Sequence, residues 1–381
     1  MSSQGEHLVI VGAGIIGITI AHQLLLQDAD ENNFNKITFV ANHFPHDQPL
    51  SHDYTSPWAG AHFRPFPHKK DTYESDKRES GYTRVTYKFF QDLVKTHPES
   101  TIEFMMGVDW LEDPTPEYEN LGPGYQNDGI LTFTKLPKEQ LPKGIQFGCE
   151  YTTYCLNAPK YLNFLVDQIK KVSLDKNIEL NWVRTKGPLS SLKQVRSLLP
   201  DGDKLLYMIN ATGQGLQYDG GLDPASYPIR GQTLLVNAPE DPNKIKFAHE
   251  TVTHQGKDGS WTFVIKRPTP KRDPDEKEFP QYILGGTKQP GATDSTIRNE
   301  DTEGLISRAR VLYPELVSPE GNIDIVKVNV GFRPGRKGGS RVECERIDGL
   351  KIVHAYGIAG MGYEASVGMS QHVLQLLHEC T

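Results

Sequence analysis

The chain has no stretch of roughly eighteen uncharged apolar residues, the length a helix needs to cross a bilayer, and its opening MSSQGEH lacks the basic and apolar layout of a secretory signal. Neither a membrane span nor secretion is expected. Cysteine is scarce: Cys149, Cys155, Cys344 and Cys380 lie far apart, without a CxxC pair or a dense framework, and a reducing intracellular compartment fits best. Positive charge is not in excess. Lysine and arginine number 41 against 48 acidic residues, a formal charge of -7, so the overall field repels nucleic acid and anionic membranes. An acidic ligand must therefore meet a locally basic pocket. There is no HExxH, no Walker lysine loop and no GxSxG elbow. The 13 histidines, His62 and His68 among them, show no defensible metal-ligand geometry, and no metal is expected.

What the chain does have begins at His7. The apolar run Leu8, Val9, Ile10 and Val11 suits a buried parallel strand and ends in Gly12-x-Gly14-x-x-Gly17. Ile15, Ile16, Ile18, Ile20, Ala21, Leu24 and Leu25 then give a helix with a wide apolar face. In such a turn Gly12 permits the bend, Gly14 lets the backbone approach a pyrophosphate and Gly17 lets helix and strand pack closely. A second strand, Lys36 to Ala41, closes a βαβ unit. At its end a dinucleotide fingerprint calls for an acid to bind ribose hydroxyls, but the chain offers Asn42 and His43. The glycines alone also suit an ordinary turn, and the missing acid leaves NAD and FAD both open.

At 381 residues two lobes are expected. Asp53 to Pro67 reads as a functional loop, Ser80 to Lys95 as a helix, Glu112 to Gly129 as an irregular loop, and Ala158 to Val172 as a helix. A strand follows at Leu205 to Ile209. From Gly231 the pattern turns to strands at Thr233 to Val236, Trp261 to Ile265, Tyr282 to Leu284 and Ile323 to Val330, which suggests an antiparallel second lobe. Between them, Lys266 to Pro280 carries too much charge and proline for a core strand and reads as a solvated hairpin loop. A strand at Lys351 to Ala355 and a helix at Glu364 to Cys380 close the chain. Arg333 follows an alternating strand, where packing can fix a guanidinium whose planar fork grips a carboxylate; a surface position in the basic run Arg333, Arg336, Lys337 and Arg341 is the other reading.

Taken together, several short motifs resemble the FAD-dependent D-amino acid oxidases, including their D-aspartate oxidase branch, nearly from end to end. They are the glycine turn, Thr55-Ser56-Pro57-Trp58-Ala59-Gly60, Asn210-Ala211-Thr212-Gly213, Arg230-Gly231-Gln232, Gly285-Gly286-Thr287, Gly331-Phe332-Arg333-Pro334 and His354-Ala355-Tyr356-Gly357. The resemblance implies an α/β fold: a Rossmann-like FAD-binding domain from segments 5–70, 156–230 and 344–381, with a largely antiparallel β substrate domain (α+β) from 71–155 and 231–343. It places FAD against Gly12, Ala13, Gly14, Ile15, Ile16 and Gly17, and against Asn42 and His43. Thr55, Ser56, Trp58, Ala59 and Gly60 join these, with Thr212 and Gly213, and then Gly357, Gly360, Gly362, Tyr363 and Glu364. Glu364 is unusual there, because a carboxylate beside an anionic reduced flavin is repelled unless protonated or turned away.

On the substrate side, the resemblance assigns the carboxylate to Arg333 and puts Gly360 beside it. Phe263 stands where many members carry a tyrosine, so one hydrogen bond to the substrate is missing. Lys288 occupies a position that is cationic in the acidic branch, and Arg64 falls in the pocket loop, so a second carboxylate can be held between them. The implied reaction is oxidative deamination of a D-amino acid by O2 to a 2-oxo acid, ammonia and H2O2, with a preference for D-Asp or D-Glu and no obligatory side-chain acid or base. A broad neutral oxidase, an NAD-linked dehydrogenase and a noncatalytic flavin-fold binding protein are the alternatives. The expected partners are a D-amino acid and O2, with no nucleic acid and no membrane, and a homodimer stays open. A peroxisomal location follows from the resemblance, although His378-Glu379-Cys380-Thr381 is not an SKL-type address; otherwise the cytoplasm is expected.

Overall fold

The computed structural model describes residues 6–27, 34–119, 124, 130, 132–200, 205–237, 245–269 and 281–379. Residues 270–280 of the expected hairpin loop, most of 120–129 in the loop after Glu112, and Cys380 lie outside the described residues. Chain order begins β1 (Glu6–Val11), α1 (Ile15–Leu26) and β2 (Phe34–Ala41). Next come α2 (Tyr73–Thr96), β3 (Glu103–Leu111), α3 (Pro116–Glu119), β4 (Thr134–Lys135) and β5 (Phe147–Cys155). The middle of the chain holds α4 (Ala158–Asp175), β6 (Glu179–Arg184), β7 (Leu205–Asn210), β8 (Ser226–Asn237), β9 (Glu250–Gln255), β10 (Trp261–Arg267), β11 (Gln281–Gly285) and β12 (Gln289–Pro290). The last elements are α5 (Asn299–Leu312), β13 (Ile325–Arg336), β14 (Arg341–Ile347), β15 (Leu350–Tyr356) and α6 (Gly362–Glu379).

Two compact units divide the chain. The first is Met1–Pro57, Leu162–Pro228 and Arg333–Thr381, and the second is Trp58–Tyr161 and Ile229–Phe332. The first is built on a six-stranded sheet ordered β14-β15-β7-β1-β2-β6, parallel except at the β14–β15 hairpin. Leu8, Val9 and Ile10 at its centre have no exposed surface, as expected of a parallel strand covered on both faces. Helix α1 is buried from Ile15 to Leu25, its polar Thr19, His22 and Gln23 included. A helix covered on all sides is a core element, not the half-exposed amphipathic one its pattern suggests.

The second unit carries a nine-stranded sheet ordered β12-β8-β11-β10-β9-β3-β5-β4, with β13 paired to β8. Its pairs are antiparallel from β12 to β9 and from β3 to β4, and β9 and β3 run parallel. Val252, Val264, Tyr282, Leu284 and Leu234 form one core on a single sheet face, closed by Leu305, Ala309 and Tyr313 from α5 and the turn after it. Strand β10 runs on through Lys266 and Arg267, two residues that read as loop in the sequence. Lys266 is buried there because its Nζ lies 2.9 Å from both oxygens of Glu103. Helix α2 starts at Tyr73, seven residues before its apolar pattern does, with Glu74 and Asp76 favourably placed at its positive end. Cys149 and Cys155 on β5 are buried free thiols, whereas Cys344 on β14 is disulfide-bonded, which a wholly reduced set does not anticipate. Among the described residues no helix is long and apolar enough to cross a membrane.

Arg230 on β8 holds one end of this sheet together. Its side chain has no exposed surface, yet every nitrogen is used: Nε donates to the Asp294 carbonyl at 2.8 Å, one terminal nitrogen to Gln289 and Asp301, the other to Gln232 and the Thr296 carbonyl. A buried charge is tolerated only when satisfied in this way. Arg230→Met removes the charge partner of the Asp301 carboxylate and a donor from four other acceptors, and is expected to lower the stability of the protein by about 3–5 kcal/mol in a urea titration. A change below about 1 kcal/mol contradicts this account.

Candidate functional site

In the first unit β1 delivers the chain to a turn that only glycine fits. Gly12 has φ +105, and a Cβ there would lie 2.3 Å from the Ala211 carbonyl oxygen; one on Gly17 would lie 2.1 Å from the Gly12 carbonyl oxygen. The turn is tied to both neighbouring strands, Gly12 N–H donating to Val40 and Ala211 N–H to Val11. Gly14 stands at the N-cap of α1 with no side chain to cap it, and the first turn carries no acidic residue. The Ser56 hydroxyl supplies the missing acceptor, taking the Ile15 N–H at 3.0 Å. Tyr54 donates to the Ala13 carbonyl at 2.6 Å and Tyr363 to the Ser56 carbonyl at 2.9 Å, which fixes the loop around the helix start. A bare helix N-terminus with a hydroxyl beside it is chemically suited to a pyrophosphate.

Other expected cofactor contacts in this unit take definite places. Asn42 and His43 follow β2, 3.2 Å apart between Nδ2 and Nε2. The Asn42 carbonyl accepts from Arg184, which also forms a bidentate pair with Asp47. Arg184 and Tyr54 lie in no recognisable motif, so nothing in the sequence singles them out. Thr212 bridges the turn after β7, donating to Asn210 and accepting the Leu216 N–H, and the Gly213 carbonyl accepts the Gly357 N–H. At the start of α6 a Cβ on Gly362 would meet Ile15 at 3.2 Å, and Glu364 falls in the first turn. The positive end of a helix favours a carboxylate, which gives Glu364 a structural reason to be there.

Arg333 lies inside β13, which continues to Arg336 and does not stop at Val330. Gly360 leaves space beside it: a Cβ there would touch the Arg333 Cδ at 3.6 Å. Burial pulls the Arg333 pKa below its ordinary value. Its basic neighbours are otherwise engaged. Arg336 Nε lies 2.8 Å from Asp223, which also accepts from Tyr356, and Arg341 reaches Glu343, Glu345 and Tyr356. Burial pushes the Asp223 carboxyl up, but hydrogen bonds from Arg336, Ala225 and Tyr356 outweigh it and hold the group below its usual range. Arg336 and Arg341, which the sequence places in one basic run with Arg333, thus have structural acid partners.

In the second unit the alternation of β10 puts Trp261, Phe263 and Ile265 on one sheet face and Val264 in the core on the other. Phe263 packs beside Met105, Cys155 and Ile265. Gly60 and Gly285 make room for this row: a Cβ on Gly60 would lie 2.7 Å from Ile265, and one on Gly285 2.1 Å from the Phe263 ring tip. Trp58 is covered by Lys327, whose Nζ lies 4.6 Å from the ring centroid, and Ala59 and Gly60 continue the loop. The Arg64 guanidinium lies 4.8 Å from the centre of the Trp261 ring and the Lys288 Nζ 5.5 Å from it, so both expected cations meet one indole. Lys288 and Trp261 also line a cavity of about 260 Å³ together with Thr287, Arg308, Glu300 and Asp258. Among the described residues no three His, Cys, Asp or Glu side chains gather as a metal site.

The family model described as FAD dependent oxidoreductase matches residues 7–376. The chain belongs to this family. It is 35% identical over 384 residues to the D-aspartate oxidase of Talaromyces thermophilus, covering 97% of this chain and 94% of that one. To the D-amino-acid oxidase of Schizosaccharomyces pombe it is 34% identical over 369 residues, covering 95% and 93%. The fold is shared with glycine oxidase from Bacillus cereus at a TM-score of 0.65 and 16% identity, over 99% of this chain and 96% of that one. As in the rest of the FAD-dependent family, the cofactor is FAD, not the NAD that the glycine turn alone leaves open, and the bare α1 N-terminus fits its pyrophosphate.

In this FAD-dependent oxidoreductase His62, which the sequence does not distinguish from the other histidines, has a distinctive environment. Its Nε2 is sealed from solvent with no hydrogen-bond partner, and burial, then the nearby Arg64 charge, pushes its pKa down to about 3. A histidine whose folded pKa lies below its unfolded value near 6.5 contributes stability that is complete above pH 6.5 and lost as the pH falls toward 3. His62→Asn is expected to remove about 1–2 kcal/mol of the stability loss between pH 6.5 and 5, read by urea unfolding at the two pH values. An unchanged acid slope contradicts a buried neutral imidazole.

Proposed function

We propose that this protein oxidises D-amino acids to 2-oxo acids with release of ammonia and H2O2, with a preference for acidic substrates. Full-length similarity to a D-aspartate oxidase and a D-amino-acid oxidase supports the reaction, and the observation that carries the preference is Lys288 set over Trp261 on the sheet face that bears Phe263. In this reading the first unit binds FAD. Held by Ser56 and the α1 N-terminus, bound FAD would supply the two-electron acceptor for the substrate Cα hydrogen and the route by which O2 is reduced.

The chain's own residues bind and orient. Ser56 and the free amides of the α1 N-terminus hold phosphate oxygens. Arg333 grips the α-carboxylate with two parallel charge-assisted hydrogen bonds; as a desolvated cation, it has more to gain from an anion than a solvated one. That grip fixes the Cα hydrogen in one direction, which is the main catalytic contribution of a site with no required acid or base. Phe263 excludes water but donates nothing, so Arg333 carries more of the anchoring. The Lys288 ammonium attracts a side-chain carboxylate, and a tenfold preference needs only about 1.4 kcal/mol. Broad neutral specificity is the competing reading, favoured by Asp258 and Glu300, which share the cavity of Lys288 and oppose its charge.

Oxygen uptake by the holoenzyme with D-Asp, D-Glu and D-Ala distinguishes them. The expected result is peroxide-producing turnover with kcat/KM for D-Asp or D-Glu at least about tenfold above D-Ala. Equal values favour the neutral oxidase, and no turnover with any D-amino acid overturns the assignment. Arg333→Ala is expected to depress kcat/KM for all three substrates by at least about a hundredfold, since it withdraws both bonds to a desolvated carboxylate.

A further inference from the structure

Asp109 stands where the sheet pattern calls for an apolar residue. It lies two residues before the end of β3, between β5 and β9, and has no exposed surface. Its neighbours in sequence, Val108 and Trp110, pack into the core on the opposite face, so Asp109 shares a face with Met105 and hence with the row holding Phe263 and Ile265. A carboxylate enclosed in this way costs several kcal/mol unless it is paired. Here it is paired: Oδ2 accepts from the Arg64 Nε at 2.8 Å and Oδ1 from the Tyr151 hydroxyl at 3.2 Å. The two terminal nitrogens of Arg64 face the side-chain amide of Gln255, whose oxygen is assigned to them because only that orientation lets it accept; the Gln255 backbone pairs with that of Trp261.

The guanidinium is therefore oriented from three sides, by Asp109 at Nε, by Gln255 at both terminal nitrogens and by the Trp261 ring. Its side chain is only 11% exposed. A charge held 2.8 Å from a buried opposite charge presents little net field to a third group, because the two fields cancel beyond a few ångströms. Lys288 is placed differently: it is exposed to solvent and reaches the same indole from a cavity that it shares with Asp258 and Glu300, whereas the Asp109 carboxylate is buried against Arg64. Among the residues lining that cavity neither Arg64 nor Asp109 appears.

We propose that Asp109 is a positioning residue and the built-in counterion of Arg64: it fixes the guanidinium against Trp261 and cancels its charge, so that Lys288, not Arg64, sets the preference for an anionic side chain. The inference rests on the acidic-substrate reading above and changes its division of labour. Arg64 becomes part of the wall that holds Trp261, and the second carboxylate is not shared equally between two cations.

The test uses the FAD-loaded protein, with kcat and KM measured separately for D-Asp and D-Ala at low and high salt, and with malonate and acetate titrated as dicarboxylate and monocarboxylate probes of the flavin absorbance. Asp109→Asn keeps the shape and the acceptor for Nε but uncovers the Arg64 charge. The KM for D-Asp and the malonate dissociation constant are expected to fall about three- to tenfold, with D-Ala and acetate changed less than about twofold and the gain reduced by salt. The paired change Arg64→Met with Asp109→Asn removes both buried charges together, strands neither, and stands in if the single variant does not fold. It is expected to keep the D-Asp to D-Ala ratio within about threefold, whereas Lys288→Met lowers that ratio at least about tenfold.

A ratio lost in the paired variant overturns the proposal, because Arg64 then contacts the side chain itself. So does an equal rise in KM for both substrates in Asp109→Asn, which marks a merely structural role. Wild-type protein that turns over D-Asp no better than D-Ala overturns the acidic reading instead, and the malonate titrations of the variants still decide the counterion.

Discussion

Helix α1 leaves strand β1 at a separation that admits hydrogen atoms and nothing larger. A Cβ on Gly17 would lie 2.1 Å from the Gly12 carbonyl oxygen, and one on Gly12 would lie 2.3 Å from the Ala211 carbonyl oxygen. This close approach puts the first amides of α1 at the ends of β1, β2 and β7, which share hydrogen bonds through Gly12 and Ala211. Everything that surrounds the helix start is fitted to it: Tyr54 on the Ala13 carbonyl, Ser56 on the Ile15 amide, Gly362 against Ile15, and Tyr363 back onto Ser56. In the proposed reading phosphate binding rests on backbone placement, and the side chains serve to keep that placement fixed.

The second unit solves a different problem, since it places charge inside a sheet. Arg230 and Asp109 both lie in strands, and both are fully buried with their hydrogen-bonding capacity met by several segments. Arg230 binds β8 to β12, the Asp294–Thr296 turn and α5. Asp109 binds β3 to the Arg64 loop and to β5. Such groups add little net stability compared with an apolar core, but removing one partner is costly, which makes them effective at fixing one arrangement of the loops they touch. The loops so fixed carry Arg64, Thr287 and Lys288.

Much of this was legible in the sequence, and the reasons for the rest are local. The β1–α1 turn announced itself because an apolar run, three spaced glycines and a second apolar run coincide. Arg333 stood out as an arginine next to an alternating strand, although the strand in fact runs through it. Strand β5, FGCEYTTYC, mixes polar and aromatic residues, and α5 buries only Leu305 and Ala309, so neither gave a clear period. Asp109 broke the pattern of β3, because an isolated acid in a hydrophobic strand has no reading until its partner Arg64, 45 residues away, is seen beside it. Lys266 and Arg267 read as loop because charge suggests solvent, whereas Glu103 neutralises Lys266 within the sheet. The sequence of Arg230-Gly231-Gln232 carried the family resemblance without disclosing that Arg230 gathers acceptors from β12, α5 and the turn between them.

The backbone cradle proposed for FAD depends on the absence of a side chain at position 17. Titration of the Gly17→Ala apoprotein with FAD, followed by flavin fluorescence alongside far-UV circular dichroism, tests this most directly. The predicted result is native-like secondary structure with FAD affinity reduced at least about tenfold, because a single methyl group forces α1 away from the Gly12 carbonyl. Wild-type affinity in a folded Gly17→Ala protein would contradict it.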